Sequence, residues 1–184
     1  MNNKGFTLVE VLAMLVVLGI LMGISVPNIT GILNSHKKNT IQTDATKMVD
    51  NAKIKISTNK SIKNPSSGEC LLFSLNDLNI SDDINEGPNG GIYKEYDSFV
   101  IVSRPVGKKS YEYYVRLVEE LNGGDYGISF ANIKDVSTEN TKEISTVKDS
   151  YNMVGNDSDK TTILTNPAVS SVCPSGISSY YTGN

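Results

Sequence analysis

The sequence predicts an α+β fold in which a long N-terminal helical spine packs against an antiparallel β-sheet head. Three observations lead to this prediction. Residues 8–26 form an apolar run with a single charge, and from residue 29 to about residue 60 apolar side chains recur every three or four positions. The rest of the chain holds short alternating segments separated by turn sequences, and its length leaves room for one soluble domain.

The apolar run over residues 8–26 is about long enough to cross a membrane as a helix. A secretory signal peptide is one interpretation, with a small-residue cleavage site at Gly23-Ile24-Ser25, but Glu10 interrupts the start of its apolar core. A plain membrane anchor is another, and it leaves Glu10 as an unexplained cost of a few kcal/mol if the carboxylate lies deep in lipid. Neither interpretation uses the carboxylate.

A third interpretation explains the carboxylate. The run Gly5-Phe6-Thr7-Leu8-Val9-Glu10 resembles the processing site of type IV pilins and pseudopilins, in which a glycine precedes a phenylalanine and glutamate is the fifth residue of the mature chain. The resemblance implies cleavage between Gly5 and Phe6 by a membrane-embedded prepilin peptidase. It also implies N-methylation of the new Phe6 amine. The mature chain would keep 179 of the 184 residues.

Glu10 then has a role in assembly. When such helices bundle into a filament core, the Phe6 amine is a cation in a low-dielectric environment, and an unpaired buried charge is very costly. The spacing allows Glu10 to face the Phe6 amine of its own chain at i, i+4. The resemblance adds pairing with the amine of a neighbouring subunit.

Three residues at four-residue intervals, Gly19, Gly23 and Pro27, are expected to weaken the first helix. Pro27 has no N–H for the carbonyl of Gly23, and the two glycines favour the helix poorly, so the combined cost is several kcal/mol. A kink or a locally melted segment is expected between residues 19 and 27. The resemblance implies that this part unwinds during assembly, although glycines at this spacing also fit close packing between membrane helices.

The amphipathic half of the spine has one apolar face. It is formed by Ile29, Ile32, Leu33, Ile41, Ala45, Met48, Val49, Ala52 and Ile56. The helix is expected to end before Asn64-Pro65-Ser66-Ser67-Gly68, whose composition disfavours helix. The predicted organisation is a leader at 1–5, a transmembrane and polymerisation helix at 6–27, an amphipathic half at 28–63 and a globular head at 64–184.

Strands are predicted in the head between turn sequences. They cover residues 91–96, 99–106, 110–118 and 128–136, with a short helix or strand at 71–78 and a weaker strand candidate at 161–165. Tyr111, Tyr113, Val115 and Leu117 share one face of their strand because side chains alternate. We expect that face to cover the helix.

Cys70 and Cys173 are the two cysteines, and His36 is the single histidine. No third and fourth ligand appear at usable spacing, so zinc is excluded. An exported head favours a disulfide between the two cysteines, and two buried free thiols are the alternative. The resemblance adds that pilin-like heads often carry a disulfide-bounded C-terminal region.

Composition and motifs argue against an enzyme and against a nucleic-acid-binding surface. The net charge is -3 with two arginines, and one histidine limits acid–base schemes. Ser57 with Lys60 and Ser145 with Lys148 match a serine–lysine pair, but the accompanying Lys-Thr-Gly is missing. The acidic loop at 156–159 does not match an EF-hand. We predict no catalytic residue, no cofactor and no metal site.

The resemblance implies a structural subunit of a type IV pilus-like surface filament that serves motility, adhesion or aggregation. A pseudopilin of a type II secretion or competence DNA-uptake machine is the alternative. Expected partners are other pilin subunits, including minor pilins, together with the prepilin peptidase, the inner-membrane assembly platform and, before assembly, the membrane. The lysines after the apolar run, Lys37 and Lys38, would favour a cytoplasmic head by the positive-inside rule. The resemblance instead implies a single-pass bacterial membrane precursor with an external head, and then an extracellular filament.

Overall fold

A computed structural model describes residues 5–78, 80, 84, 86–136, 144–148 and 163–180 of the chain, with the backbone alone at 24–28 and 179–180. The predicted leader therefore lies mostly outside the described residues, as does the acidic loop at 156–159. The chain divides into two compact units, Met1–His36 and Lys37–Asn184. We call them the N-terminal unit and the head unit.

Helix α1 (Leu8–Thr58) is the first element, and its end agrees with the sequence prediction to within two residues. A kink or a melted segment is expected between Gly19 and Pro27. The structure shows no melted segment there, since residues 19–27 are all helical. Proline removes one backbone hydrogen bond, and the turns on both sides keep theirs. Unwinding during assembly concerns the filament and stays a prediction.

The N-terminal unit exposes its apolar side chains. From Phe6 to Met22 the large apolar residues have relative exposures between 47% at Val11 and 81% at Leu8. Within the part of the chain that the structure describes, no helix has the length and hydropathy of a membrane span. The transmembrane segment at 6–27 stays a prediction of the sequence.

The head unit contains a mostly antiparallel β-sheet, which confirms the predicted α+β class. Its strands are β1 (Cys70–Ser74), β2 (Ile92–Tyr93), β3 (Phe99–Ser103), β4 (Glu112–Glu120), β5 (Asp125–Asn132), β6 (Ile144–Val147) and β7 (Ile177–Tyr180). The order in the sheet is β6-β5-β4-β3-β1-β7, and β2 pairs with β4. The β1–β7 pair is parallel and the other pairs are antiparallel.

Two short helices complete the described head: α2 (Leu75–Leu78) and α3 (Pro167–Val172). Segment 71–78, predicted as a helix or a strand, contains both, because α2 follows β1 directly. The strand predicted at 161–165 is wrong where the structure describes it, since residues 163 and 164 are helical. Asn166 N donates to Ile163 O at 3.0 Å, and Asn166 then caps α3 with Pro167 in its first turn. This N-cap and proline pair favours the start of α3 directly after the segment predicted as a strand.

The main core lies between α1 and one face of the sheet. Its helix residues are Ile41, Ala45, Met48, Val49 and Ala52 of the predicted apolar face, all buried, with Ile56 packed against them at partial exposure. The predicted buried face is wrong at Ile29, Ile32 and Leu33, which are exposed in the N-terminal unit. The sheet contributes Phe73, Val100, Val115 and Leu117 among others. The expectation that the odd-numbered side chains of β4 cover the helix is therefore confirmed.

A second core lies on the other face of the sheet, which the sequence did not predict. Leu72, Phe99 and Ile101 are buried there against Ile163 and Val169, next to the two cysteines. All five residues of β1 are buried, as expected of a strand covered on both faces. The C-terminal segment therefore covers the face that α1 leaves open.

A buried hydrogen bond joins α1 to the sheet. The Tyr93 hydroxyl donates to Asp44 Oδ2 at 3.0 Å, and Asp44 Oδ1 accepts from Lys47 at 3.3 Å. Burial and the Asp44 carboxylate raise the pKa of Tyr93 well above its ordinary value. The neutral Tyr93 hydroxyl therefore stabilises the folded chain as a hydrogen-bond donor. This contribution decreases at high pH, where the Tyr93 hydroxyl of the unfolded chain loses its proton.

We expect Tyr93→Phe to lower the free energy of unfolding by about 1–3 kcal/mol at pH 7, because Asp44 loses a buried donor. The unfolded tyrosine ionises near pH 10, so the wild-type advantage should shrink by about 1 kcal/mol between pH 10 and pH 11. Urea unfolding of the full chain in detergent, followed by circular dichroism, measures both values. Tyr96→Phe, at an exposed tyrosine, is the matched control; equal effects of the two variants would contradict the assignment.

Candidate processing and assembly site

Gly5 and Phe6 lie exposed immediately before α1. A Cβ atom built on Gly5 would have no heavy atom within 4 Å, so packing of this chain does not require glycine there. The Phe6 side chain is 76% exposed. Both residues are accessible to another molecule, and the identity of Gly5 has no explanation within the folded chain.

The first turn of α1 is closed by a capping box between Thr7 and Glu10. Glu10 Oε2 accepts from the Thr7 backbone N at 2.9 Å and from Thr7 Oγ1 at 2.8 Å. The Glu10 backbone N donates to Thr7 Oγ1 at 3.4 Å. These contacts satisfy two donors that a helix start otherwise leaves unpaired.

The structure therefore places the Glu10 carboxylate against Thr7. Before cleavage, the nitrogen of Phe6 is a neutral amide, so the expected ion pair with Glu10 belongs to the processed chain and stays a prediction. Sequence analysis missed the part played by Thr7. The pattern Thr-x-x-Glu before an apolar run is the signal that could have identified it.

Gly19 and Gly23 also lack a packing reason within the described chain. A Cβ atom built on either glycine would meet nothing within 4 Å. Each glycine destabilises a helix interior by about 1 kcal/mol relative to alanine. Any compensating contact must come from outside this chain, which fits the predicted roles in helix packing or unwinding.

Residues 1–26 match the family model described as the prokaryotic N-terminal methylation motif. The chain carries the prepilin signature. The motif supports a type IV pilin-like or pseudopilin precursor, and it implies processing by a prepilin peptidase, assembly with other pilins and a membrane-anchored precursor. No curated protein and no solved structure matches the chain.

The head unit carries a disulfide between Cys70 and Cys173, with Cα atoms 5.6 Å apart across a sequence separation of 103. Two hydrogen bonds reinforce the link: Ser103 Oγ donates to Val172 O at 2.9 Å, and Ser178 Oγ donates to Cys70 O at 3.1 Å. The disulfide joins β1 to the end of α3. It thereby attaches the C-terminal segment to the second core.

Arg116 is a fully buried cation at the centre of the sheet. Its guanidinium pairs with both carboxylate oxygens of Asp97 at 3.2 and 3.1 Å and donates to Ser129 O at 2.8 Å. The β4–β5 register shifts between Val115 and Leu117, and Ser129 lies in the extra length of β5. Arg116 therefore provides a hydrogen bond for a backbone carbonyl at the register shift, and Asp97 balances the charge of the guanidinium.

Glu119 is a fully buried anion that orders the loop before β2. Its carboxylate accepts from Asn89 N at 2.8 Å, Asn89 Nδ2 at 2.7 Å and Gly91 N at 2.9 Å. A Cβ atom on Gly87 would lie 2.2 Å from the Glu119 carboxyl carbon, and one on Gly91 would lie 2.1 Å from Glu120 O. The two glycines allow the loop to approach the carboxylate.

A shallow cleft of about 330 Å³ lies on the second-core side of the sheet. Tyr114 and Phe130 stack in it with ring centroids 5.5 Å apart, and Asn132, Asp135 and Ser171 add polar groups. Among the described residues no cluster of histidine, cysteine or carboxylate side chains could hold a metal ion. The cleft is a feature of the head and has no part in the processing site.

Proposed function

We propose that this prepilin is a structural subunit of a type IV pilus-like surface filament that serves motility, adhesion or aggregation. Prepilin peptidase would cut between Gly5 and Phe6, the Phe6 amine would be methylated, and subunits would polymerise through α1. The assembly platform of the inner membrane and minor pilins are the further partners. The head then faces the surroundings of the cell.

The observation that carries the proposal is the methylation motif at residues 1–26 together with the exposed apolar surface that follows it. An uncovered apolar surface of this extent requires a partner, and lipid before assembly and other α1 helices afterwards supply one. The open surroundings of Gly5 support recognition by a peptidase. In this proposal, residues 6–27 are the polymerisation helix and residues 64–184 are the head that the filament displays. Residues 28–63 form the amphipathic half of the spine between them.

N-terminal analysis of surface-sheared material by mass spectrometry tests the proposal. The expected result is a chain that begins at N-methylated Phe6. A chain that begins near Val26 would instead identify a cleaved secretory signal, and a chain that begins at Met1 would identify a plain anchor. Either outcome would overturn the filament proposal.

The pseudopilin alternative shares the processing chemistry and differs in the length and location of the assembly. Immunogold labelling of intact cells separates the two functions. Label along long surface fibres is the expected result for a major subunit. Label at fibre tips would indicate a minor pilin, and secretion or DNA uptake lost on gene deletion without any labelled fibre would support the pseudopilin.

A further inference from the structure

Two Asn-Gly-Gly sequences lie in turns of the head unit. They are residues 89–91, directly before β2, and residues 122–124, between β4 and β5, and the sequence has no other Asn-Gly pair. Asparagine is chemically labile, and a following glycine favours its deamidation because no side chain hinders attack by the glycine nitrogen. Since the two tripeptides are identical, their surroundings decide which of them reacts.

Asn89 is held away from this reaction. Its Nδ2 donates to Glu119 Oε2 at 2.7 Å and its backbone N donates to Glu119 Oε1 at 2.8 Å, and Glu119 is fully buried. The nitrogen that would attack, Gly90 N, donates to Gly87 O at 3.1 Å. Ring closure at Asn89 therefore requires both the side-chain bond to Glu119 and the bond from Gly90 N to break.

Asn122 lies exposed in the turn between β4 and β5. Gly124 N donates to Leu121 O at 3.3 Å and closes this turn. Across the part of the chain that the structure describes, neither the Asn122 side chain nor Gly123 N has a hydrogen-bond partner. A Cβ atom built on Gly123 would meet nothing within 4 Å, so the space around the attacking nitrogen is open.

We propose that Asn122 is a site of spontaneous deamidation in the folded head, and that Glu119 protects Asn89 from the same reaction. Gly123 N forms a bond to Asn122 Cγ and loses its proton, the C–N bond of the side-chain amide breaks, and ammonia leaves, so that a cyclic imide forms. One water molecule then opens the imide at either carbonyl and gives aspartate or isoaspartate. The net reaction replaces the amide nitrogen by oxygen from water, and no oxidant or reductant takes part.

The products change both the charge and the length of the turn. Each deamidated chain gains a negative charge between Glu120 and Asp125, which flank the turn in sequence. Isoaspartate also lengthens the backbone between residues 122 and 123, inside the turn that Gly124 N and Leu121 O close. Copies of this chain therefore come to differ with age at this end of the sheet, whichever assembly they form.

Incubation of the full chain in detergent at mildly alkaline pH, followed by tryptic peptide mapping with mass spectrometry, tests the proposal. Lys94 and Arg116 lie between the two asparagines, so trypsin places them on separate peptides. We expect Asn122 to react on the order of tenfold to a hundredfold faster than Asn89, because Asn89 must first break a hydrogen bond to a charged acceptor. In urea, where the fold is lost, the two identical tripeptides should react at similar rates.

Two variants complete the test. Asn122→Gln should abolish the reaction at residue 122, because glutamine closes a larger ring slowly, and should leave the rate at Asn89 unchanged. Glu119→Gln removes the acceptor of the Asn89 side chain and should accelerate Asn89 by about tenfold or more. Circular dichroism verifies that this variant folds, and the comparison in urea decides if it does not.

Equal rates at Asn122 and Asn89 in the folded chain would overturn the proposal, as would reaction at Asn89 first. A rate ratio that persists unchanged in urea would also overturn it, because the fold would then have no part in the selection.

Discussion

Glu10→Gln is expected to abolish filament assembly while cleavage after Gly5 proceeds. Glutamine keeps the length of the side chain and can still cap Thr7, but it removes the negative charge that would balance a buried Phe6 amine. Breaking a buried ion pair costs about 3–5 kcal/mol, which is on the order of 10²- to 10⁴-fold in association constant for each subunit. Yield of sheared filaments measures assembly, and N-terminal mass spectrometry of membrane fractions measures cleavage.

Thr7→Val is the matched control because it removes the hydroxyl of the capping box and leaves the carboxylate. Its cost should stay near 1 kcal/mol, as for other lost helix caps, and filaments should still form. Glu10→Leu removes both cap and charge and should behave like Glu10→Gln. Normal filament yield from Glu10→Gln, or equal loss from Thr7→Val, would show that pairing of charge is not what assembly requires.

Removal of the disulfide through Cys70→Ala with Cys173→Ala is expected to destabilise the head by about 4–5 kcal/mol. The bond closes a loop with a sequence separation of 103, and the chain-entropy relation gives a value of this size. The C-terminal segment should also detach more readily from the second core. Because tryptophan is absent, urea unfolding is followed by circular dichroism.

Reduction of the unmodified chain provides the comparison for this variant. Both should show the same loss of unfolding free energy, and the variant should not respond further to reductant. Hydrogen exchange at residues 163–180 should increase in both cases. A loss below about 1 kcal/mol would mean that the second core holds the C-terminal segment without the covalent link.

Regular spacing made much of the fold predictable. The apolar positions from Ile41 to Ala52 recur at helical intervals, and they are the residues that α1 buries. The alternation of side chains along β4 likewise predicted that Val115 and Leu117 face the helix. These patterns are readable because one side of each element is apolar and the other is polar.

The second core could not be predicted in this way. The strands β1 and β3 read as continuous apolar runs, and such runs do not reveal what covers each face. Ile163 lies in a segment with high β-propensity, yet residues 163 and 164 are helical and a new helix begins after the cap at Asn166. The short edge strands β6 and β7 are rich in serine and threonine, so their pairing depends on a sheet that is already formed.

Buried charge was the other feature that the sequence concealed. Arg116 and Glu119 read as ordinary polar positions of an alternating strand, but both are fully buried. Their partners, Asp97 and the loop at Gly91, are distant in sequence and supply the needed hydrogen bonds. The N-terminal prediction, by contrast, rests on a local motif at Gly5, Phe6 and Glu10, and residues 1–26 match the methylation motif.

Glu119 supports the loop before β2 from the interior of the head. The loop that it holds contains Glu86 at one end and leads into Ile92 at the other, so the exposed surface takes its shape from a carboxylate that solvent never reaches. Gly91→Ala would change no surface side chain, yet it would force the loop away from the strand. Variation beneath the surface can therefore change the shape of this loop while its outer residues stay the same.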